Sequence, residues 1–193
     1  MRLAALNSGH GFGTKALFFL IRAVSRQPAP EVLKLLTYRP DFFGTHMRRL
    51  THEAMRGPSA WSVGDRELMA AFVSKMNDCE FCIKAHGAVA ARAYRDDARV
   101  AAVLSDLETA AIGKPLRATL RMLGSLTREH APDVDDMRAV LAAGVSREQI
   151  EDALAIGFAF NTMNRLADAF EFSVPGPEVF DAGAKFLLAR GYR

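Results

Sequence analysis

The feature that most constrains this chain is periodic. Apolar residues recur at helical spacing nearly throughout, and no run alternates for long enough to read as a strand. Segments with a period near 3.6 residues bury their apolar faces helix against helix, so the spacing predicts an all-α bundle. Segment 14–26 carries Leu17, Leu20, Ile21 and Val24 on one face and stops at Gln27-Pro28-Ala29-Pro30. That Pro-rich bend separates an N-terminal helical arm, 1–30, from the body of what reads as a single domain over 1–193. A short helix from about Pro30 to Thr37 follows, then one over roughly 41–56 that ends at Gly57-Pro58. Ser62 and Asp65 form a capping-box-like start for a helix over 63–76. Asn77-Asp78 breaks the chain, and Asp78 is a natural N-cap for a helix from Cys79 to about Tyr94. Further helices are predicted over 96–104, 107–112, 115–128 and 133–143. Ser146 and Gln149 open another, expected to continue with a kink to about Phe170, and Val174-Pro175-Gly176-Pro177 precedes a last one over 178–190.

Composition narrows the function. The net charge is only +3 and the arginines are spread along the chain, which argues against a nucleic-acid partner. The apolar run 16–21 ends at Arg22 with no small-residue cleavage site behind it. It is also far short of the roughly 20 residues that span a bilayer, so no membrane partner is expected. The two cysteines lie three residues apart, unlike the spread of a disulfide-stapled secreted domain, so a cytoplasmic location is expected. In that compartment a close pair is redox-active or metal-binding more often than structural.

The chemistry concentrates in Cys79-Glu80-Phe81-Cys82-Ile83-Lys84-Ala85-His86. Residues three and four apart share a helix face, so Cys79, Cys82 and His86 are predicted to form one stripe. An imidazole one turn from Cys82 accepts the thiol proton and holds the thiolate, while Cys79 is near enough to close a disulfide. If helices 63–76 and 79–94 are antiparallel, Glu67 and His86 lie roughly 16 and 12 Å from the turn, at similar depth. A buried carboxylate there, with a raised pKa, would suit proton transfer; the plain alternative is a carboxylate favouring the helix dipole. The helix N-terminus favours thiolate at Cys79 and His86 favours it at Cys82. Asp78 and Glu80 oppose ionisation of Cys79, which tips the balance to Cys82 as the attacking thiol. A zinc site would have Cys79, Cys82, His86 and at most Glu67 as ligands; no metal or other cofactor is expected. Asn161, Asn164, Arg165 and Asp168 fall at helical spacing and read first as a structural polar network. His10, His46, His52 and His130 read as surface or helix-end residues.

Glu67, Cys79, Cys82 and His86 at these spacings resemble the Glu…Cys-x-x-Cys-x-x-x-His signature of AhpD-like alkylhydroperoxidases, in the carboxymuconolactone decarboxylase superfamily. Residues 160–170, Phe-Asn-Thr-Met-Asn-Arg-Leu-Ala-Asp-Ala-Phe, are similar to its peroxidase-related branch, and the resemblance covers roughly residues 40–170. It implies an AhpD-like helical fold, assembly into trimers or hexamers, and reduction of a small hydroperoxide without haem or metal. In that family the cysteine matching Cys82 attacks the peroxide and the one matching Cys79 resolves it. The residues matching His86 and Glu67 relay protons. An external dithiol, a lipoyl or thioredoxin-like reductant, restores the pair. The best-known members carry histidine where this chain has Phe81, which removes a polar group from the site. Two other functions stay open: a redox-switched binding or scaffold oligomer with little turnover, and lactone or decarboxylase chemistry, which does not need the thiols.

Overall fold

The computed structural model describes residues 4–192. Residues 1–3 of the predicted arm, Arg193, and the side chain of Val24 from the predicted arm face lie outside the described residues. Among the described residues all regular structure is helical, as the periodicity predicts. The helices are α1 (Ala5–Ser8), α2 (Phe12–Ser25), α3 (Glu31–Tyr38), α4 (Thr45–Arg56), α5 (Val63–Met76) and α6 (Glu80–Tyr94). They continue with α7 (Asp97–Ser105), α8 (Lys114–Glu129), α9 (Val134–Ala142), α10 (Arg147–Ala169) and α11 (Pro177–Arg190).

Helix α5 is the centre. Leu68, Met69, Ala70, Ala71, Phe72 and Val73 are all buried in succession, so this helix is covered on every side rather than on one stripe. It packs on α6, α8 and α10. Its start is fixed by a complete capping box, in which Ser62 Oγ accepts from the Asp65 N–H and Asp65 returns to the Ser62 N–H. The same device opens α10 at Ser146 and Gln149. Such a cap contributes about 1 kcal/mol. The antiparallel pair α5–α6 is closed at its far end by Tyr94, whose hydroxyl donates to Asp65 Oδ1 at 2.5 Å. Gly64 makes room for that ring, since a Cβ there would meet Tyr94 Cε1 at 2.6 Å.

Several expectations are corrected. The predicted helix over 41–56 is preceded by a π-helical turn, Pro40–Gly44, that runs into α4. The segment predicted as a helix over 107–112 is turn and irregular chain, with the Asp106 side chain bonded to the Glu108 N–H and Thr109 Oγ1. An aspartate that bonds its own following backbone offers the chain a turn in place of a helix. His10 is not a surface residue: it is buried against Phe18 and Tyr38, with Nε2 2.9 Å from the Leu6 carbonyl. The apolar face predicted for α2 is not buried, with Leu17 and Leu20 exposed beside Phe12 and Phe19.

Candidate functional site

The turn between α5 and α6 sets the positions of the thiols. Asp78 adopts φ 56°, a left-handed conformation that aspartate tolerates better than most residues. The Cys79 N–H then reaches back to the Ser74 carbonyl at 3.0 Å and the Asp78 N–H to Lys75 at 3.1 Å, closing a Schellman motif. Asp78 is therefore not the N-cap of the next helix, as the sequence suggested. Cys79 itself stands at the N-cap, and α6 begins at Glu80. The end of α10 repeats the motif with Glu171 at φ 52° and the Phe172 N–H on Ala167. Cys79 and Phe172 thus occupy equivalent positions in two motifs, and both join one apolar cluster with Cys82, Leu6, Leu35 and Ala167. Val32, Phe81 and Phe170 pack on that cluster. Phe81 sits edge-on to Phe172 and tilted against Phe180. Both cysteines are reduced and buried, at 1% and 5% exposure.

The two sulfurs are electrostatically unequal. The hydrogen bond with Cys82 pushes the Cys79 thiol far up, with burial and the Asp168 carboxylate adding to the effect. The same bond, donated by Cys79, pulls Cys82 below the ordinary thiol value, and the charge of His86 and a bond from Asn164 act in the same direction against burial. The lowered thiol is the one the sequence balance favoured.

Glu67 and His86 meet between α5 and α6, with His86 Nδ1 2.8 Å from Glu67 Oε2. A fully buried carboxylate is costly unless its oxygens are satisfied. Here Arg56 donates to Glu67 Oε1 at 2.6 Å and the Tyr192 hydroxyl to the same atom at 2.8 Å. Burial pushes the Glu67 carboxyl up, but the bonds and charges of His86 and Arg56 outweigh it and hold the group below the usual carboxylate range. The expected raised pKa is thereby reversed. Because an ionised carboxylate only accepts, Nδ1 of His86 carries the proton and Nε2 is left as the ring's basic atom. The ring packs edge-on to Phe160 at 4.4 Å and nearly parallel to Tyr192.

Arg56, Tyr192 and Phe160 were not anticipated from sequence. Tyr192 lies 125 residues from Glu67 in the chain, so no local spacing exposes it. A buried Glu does, however, demand a cation, and Arg56, the last residue of the preceding helix, supplies it. Of the polar residues on α10, Asn164 is fully buried and Asp168 is exposed beside Cys79, so this face reaches the thiols themselves. His52, also taken for a surface or helix-end residue, has Nδ1 3.3 Å from the Tyr192 backbone N–H.

The fold is the all-helical AhpD-like one. Residues 42–125 match the carboxymuconolactone decarboxylase family. Two solved structures share the fold at 23% identity. One is an uncharacterised peroxidase-related protein from Silicibacter sp. TM1040, with a TM-score of 0.73 over 86% of each chain. The other, described as an alkylhydroperoxidase AhpD core, is an uncharacterised peroxidase-related protein from Ralstonia eutropha JMP134, with a TM-score of 0.74 over 92% of each chain. A debrominase in its apo form is similar at 16% identity and a TM-score of 0.68, over 90% of this chain and 92% of that one. Among curated proteins none matches significantly. Among the described residues no helix is long and apolar enough to cross a membrane.

Proposed function

We propose that the protein reduces small hydroperoxides through its thiol pair, with Cys82 attacking and Cys79 resolving. The feature that carries this reading is the inequality of the thiols, with Cys82 pulled below the ordinary thiol value by its neighbours Cys79, His86 and Asn164 while Cys79 is pushed far above it. A thiolate, not a thiol, is the nucleophile. In the first step the Cys82 sulfur attacks the terminal peroxide oxygen, the O–O bond breaks, and Cys82 becomes a sulfenic acid. The departing alkoxide takes a proton from the His86 imidazolium and leaves as the alcohol. Cys79 then displaces the hydroxyl from Cys82, its own proton leaving in water, and the disulfide forms. An external dithiol reduces that disulfide by exchange and becomes oxidised itself. Glu67 acts in this scheme by holding the His86 ring and its charge. Arg56 helps to keep Glu67 ionised, and Tyr192 donates to the same oxygen.

Burial of both sulfurs favours a second reading, a redox switch oxidised once and returned slowly. Steady-state peroxide consumption with a dithiol donor separates the two. Sustained turnover that disappears in C82S supports the peroxidase, and a single stoichiometric oxidation supports the switch. C79S should instead trap the sulfenic acid on Cys82, visible by mass spectrometry after chemical capture. Peroxide consumption by C82S at the wild-type rate would overturn the assignment of the attacking thiol.

A further inference from the structure

Resting on the reading of His86 as the proton donor in peroxide reduction, we propose that Tyr192 is a positioning residue for that imidazole, brought to it by the segment that follows α11. Two residues of α4, His52 and Arg56, seat this segment. Arg56 Nη2 gives one proton to Glu67 Oε1 at 2.6 Å and the other to the Leu187 carbonyl at 3.2 Å, in the last turn of α11. The same carbonyl accepts the Gly191 N–H at 2.9 Å. Gly191 then turns the chain at φ 66° and ψ −151°, a region open to glycine and to little else. A Cβ there would also meet His52 Cε1 at 2.8 Å and Nδ1 at 2.9 Å. The Tyr192 N–H donates to that Nδ1 at 3.3 Å, and the Arg56 guanidinium lies 5.1 Å from the centre of the Tyr192 ring.

The direction of each bond follows from who holds a proton. Glu67 is ionised and only accepts, so the Tyr192 hydroxyl gives its one proton to Oε1 at 2.8 Å. Burial and the Glu67 charge push the phenol well above its ordinary value, so that proton stays in place. Arg56 and Tyr192 thereby occupy both lone pairs of Oε1, and Oε2 is left to His86 Nδ1 at 2.8 Å. Towards the same Nδ1, 3.3 Å away, the Tyr192 oxygen can only accept. The Nδ1 proton therefore lies between Glu67 Oε2 and the Tyr192 oxygen, and Nε2 is the atom left to exchange protons. The imidazole is clamped between Phe160, edge-on, and the Tyr192 ring, parallel to within 19°. Its plane and its tautomer are thus set in part from 106 residues away in the chain. His86 stands one helical turn beyond Cys82, so the set of this ring decides where the proton for the departing alkoxide starts.

The test reads the His86 Nδ1 proton by heteronuclear NMR of the reduced protein, beside steady-state turnover with an alkyl hydroperoxide and a dithiol. In wild type this proton should give a far-downfield signal that exchanges slowly with water. Y192F keeps the ring and loses the hydroxyl, so the proton loses its second acceptor and Oε1 loses a donor. Both changes strengthen the bond to Oε2 and should move the signal further downfield. Its kcat should fall about threefold with KM held within about twofold, the size of one hydrogen bond acting through a second residue. Y192A empties the place beside the imidazole and G191A displaces the segment; each should speed exchange of the proton by about tenfold or more. A Y192F signal that stays put or moves upfield overturns the proposal, and so does its absence from the wild-type spectrum. A lowered melting temperature with an unmoved signal would mark Tyr192 as packing only. A downfield shift in a Y192F that turns over like wild type, or in a protein that consumes no peroxide, sinks the reading of His86 as proton donor and leaves its placement by Tyr192 standing.

Discussion

Two sets of neighbours meet at the thiols, and they differ in chemistry and in how they are held. The polar set comes from the interior helices: Asn164 and Ser74 are fully buried, and His86, Glu67, Arg56 and Tyr192 form one bonded group. The apolar set, Leu6, Val32, Leu35 and Phe172, comes from the arm, from α3 and from the turn after α10. Its ties are at the surface, with Lys34 on Asn7 Oδ1 at 2.9 Å and the Ser173 N–H on the Glu31 carboxylate at 2.6 Å. Elements held by a few exposed bonds open more readily than a core helix. On the proposed reading the polar set governs how reactive the sulfur is, and the apolar set how often anything reaches it.

The sharpest way to break the comparison is to empty the polar set. Glu67→Ala leaves the Arg56 guanidinium, the His86 ring and the Tyr192 hydroxyl facing an unfilled space, and a loss of about 3–5 kcal/mol in chemical denaturation is expected. The milder Glu67→Gln should show a pH signature. Since the folded carboxyl is held below its unfolded value, its stabilisation is complete above about pH 4.3 and is lost as pH falls through the folded pKa. The stability gap between wild type and Glu67→Gln should therefore close in acid.

The apolar set should respond in the opposite sense. Leu35→Ala removes buried side-chain volume at a cost of about 2–3 kcal/mol, yet alkylation of the reduced protein should speed up severalfold while the Cys82 midpoint stays put. A moved midpoint would mean the two sets are not separable. Tyr192→Phe removes one of the donors to Glu67 and should cost about 1 kcal/mol, with a modest fall in turnover. Smallest of all, Asp78→Gly should stabilise the turn by up to about 1 kcal/mol, read as a higher melting temperature, because glycine adopts the left-handed conformation without penalty.

The helices were legible where local chemistry sets their ends. Ser62 with Asp65 and Ser146 with Gln149 mark α5 and α10 within a few residues in the sequence, and the helical period marks everything between. The juxtaposition of Glu67 and His86 was also legible, because a tight turn between helices of known rise fixes relative depth. Legibility ended where a partner comes from far along the chain. His86 and Arg56 reverse the direction of the Glu67 shift, and neither Arg56 nor Tyr192 is visible in the spacing around Cys79. Leu6 over the thiols and the buried His10 depend on how the arm folds back, which periodicity does not encode. Segment 107–112 was misread because Asp106 makes a turn that competes with the helix its neighbours favour.

The central claim is that the buried pair exchanges two electrons with a peroxide, and counting thiols tests it most directly. Reduced protein titrated with an alkyl hydroperoxide should lose both thiols together, one equivalent of peroxide closing the Cys79–Cys82 bridge with no intermolecular product. Thiols that persist through excess peroxide, or an equal loss in C82S, would contradict the account.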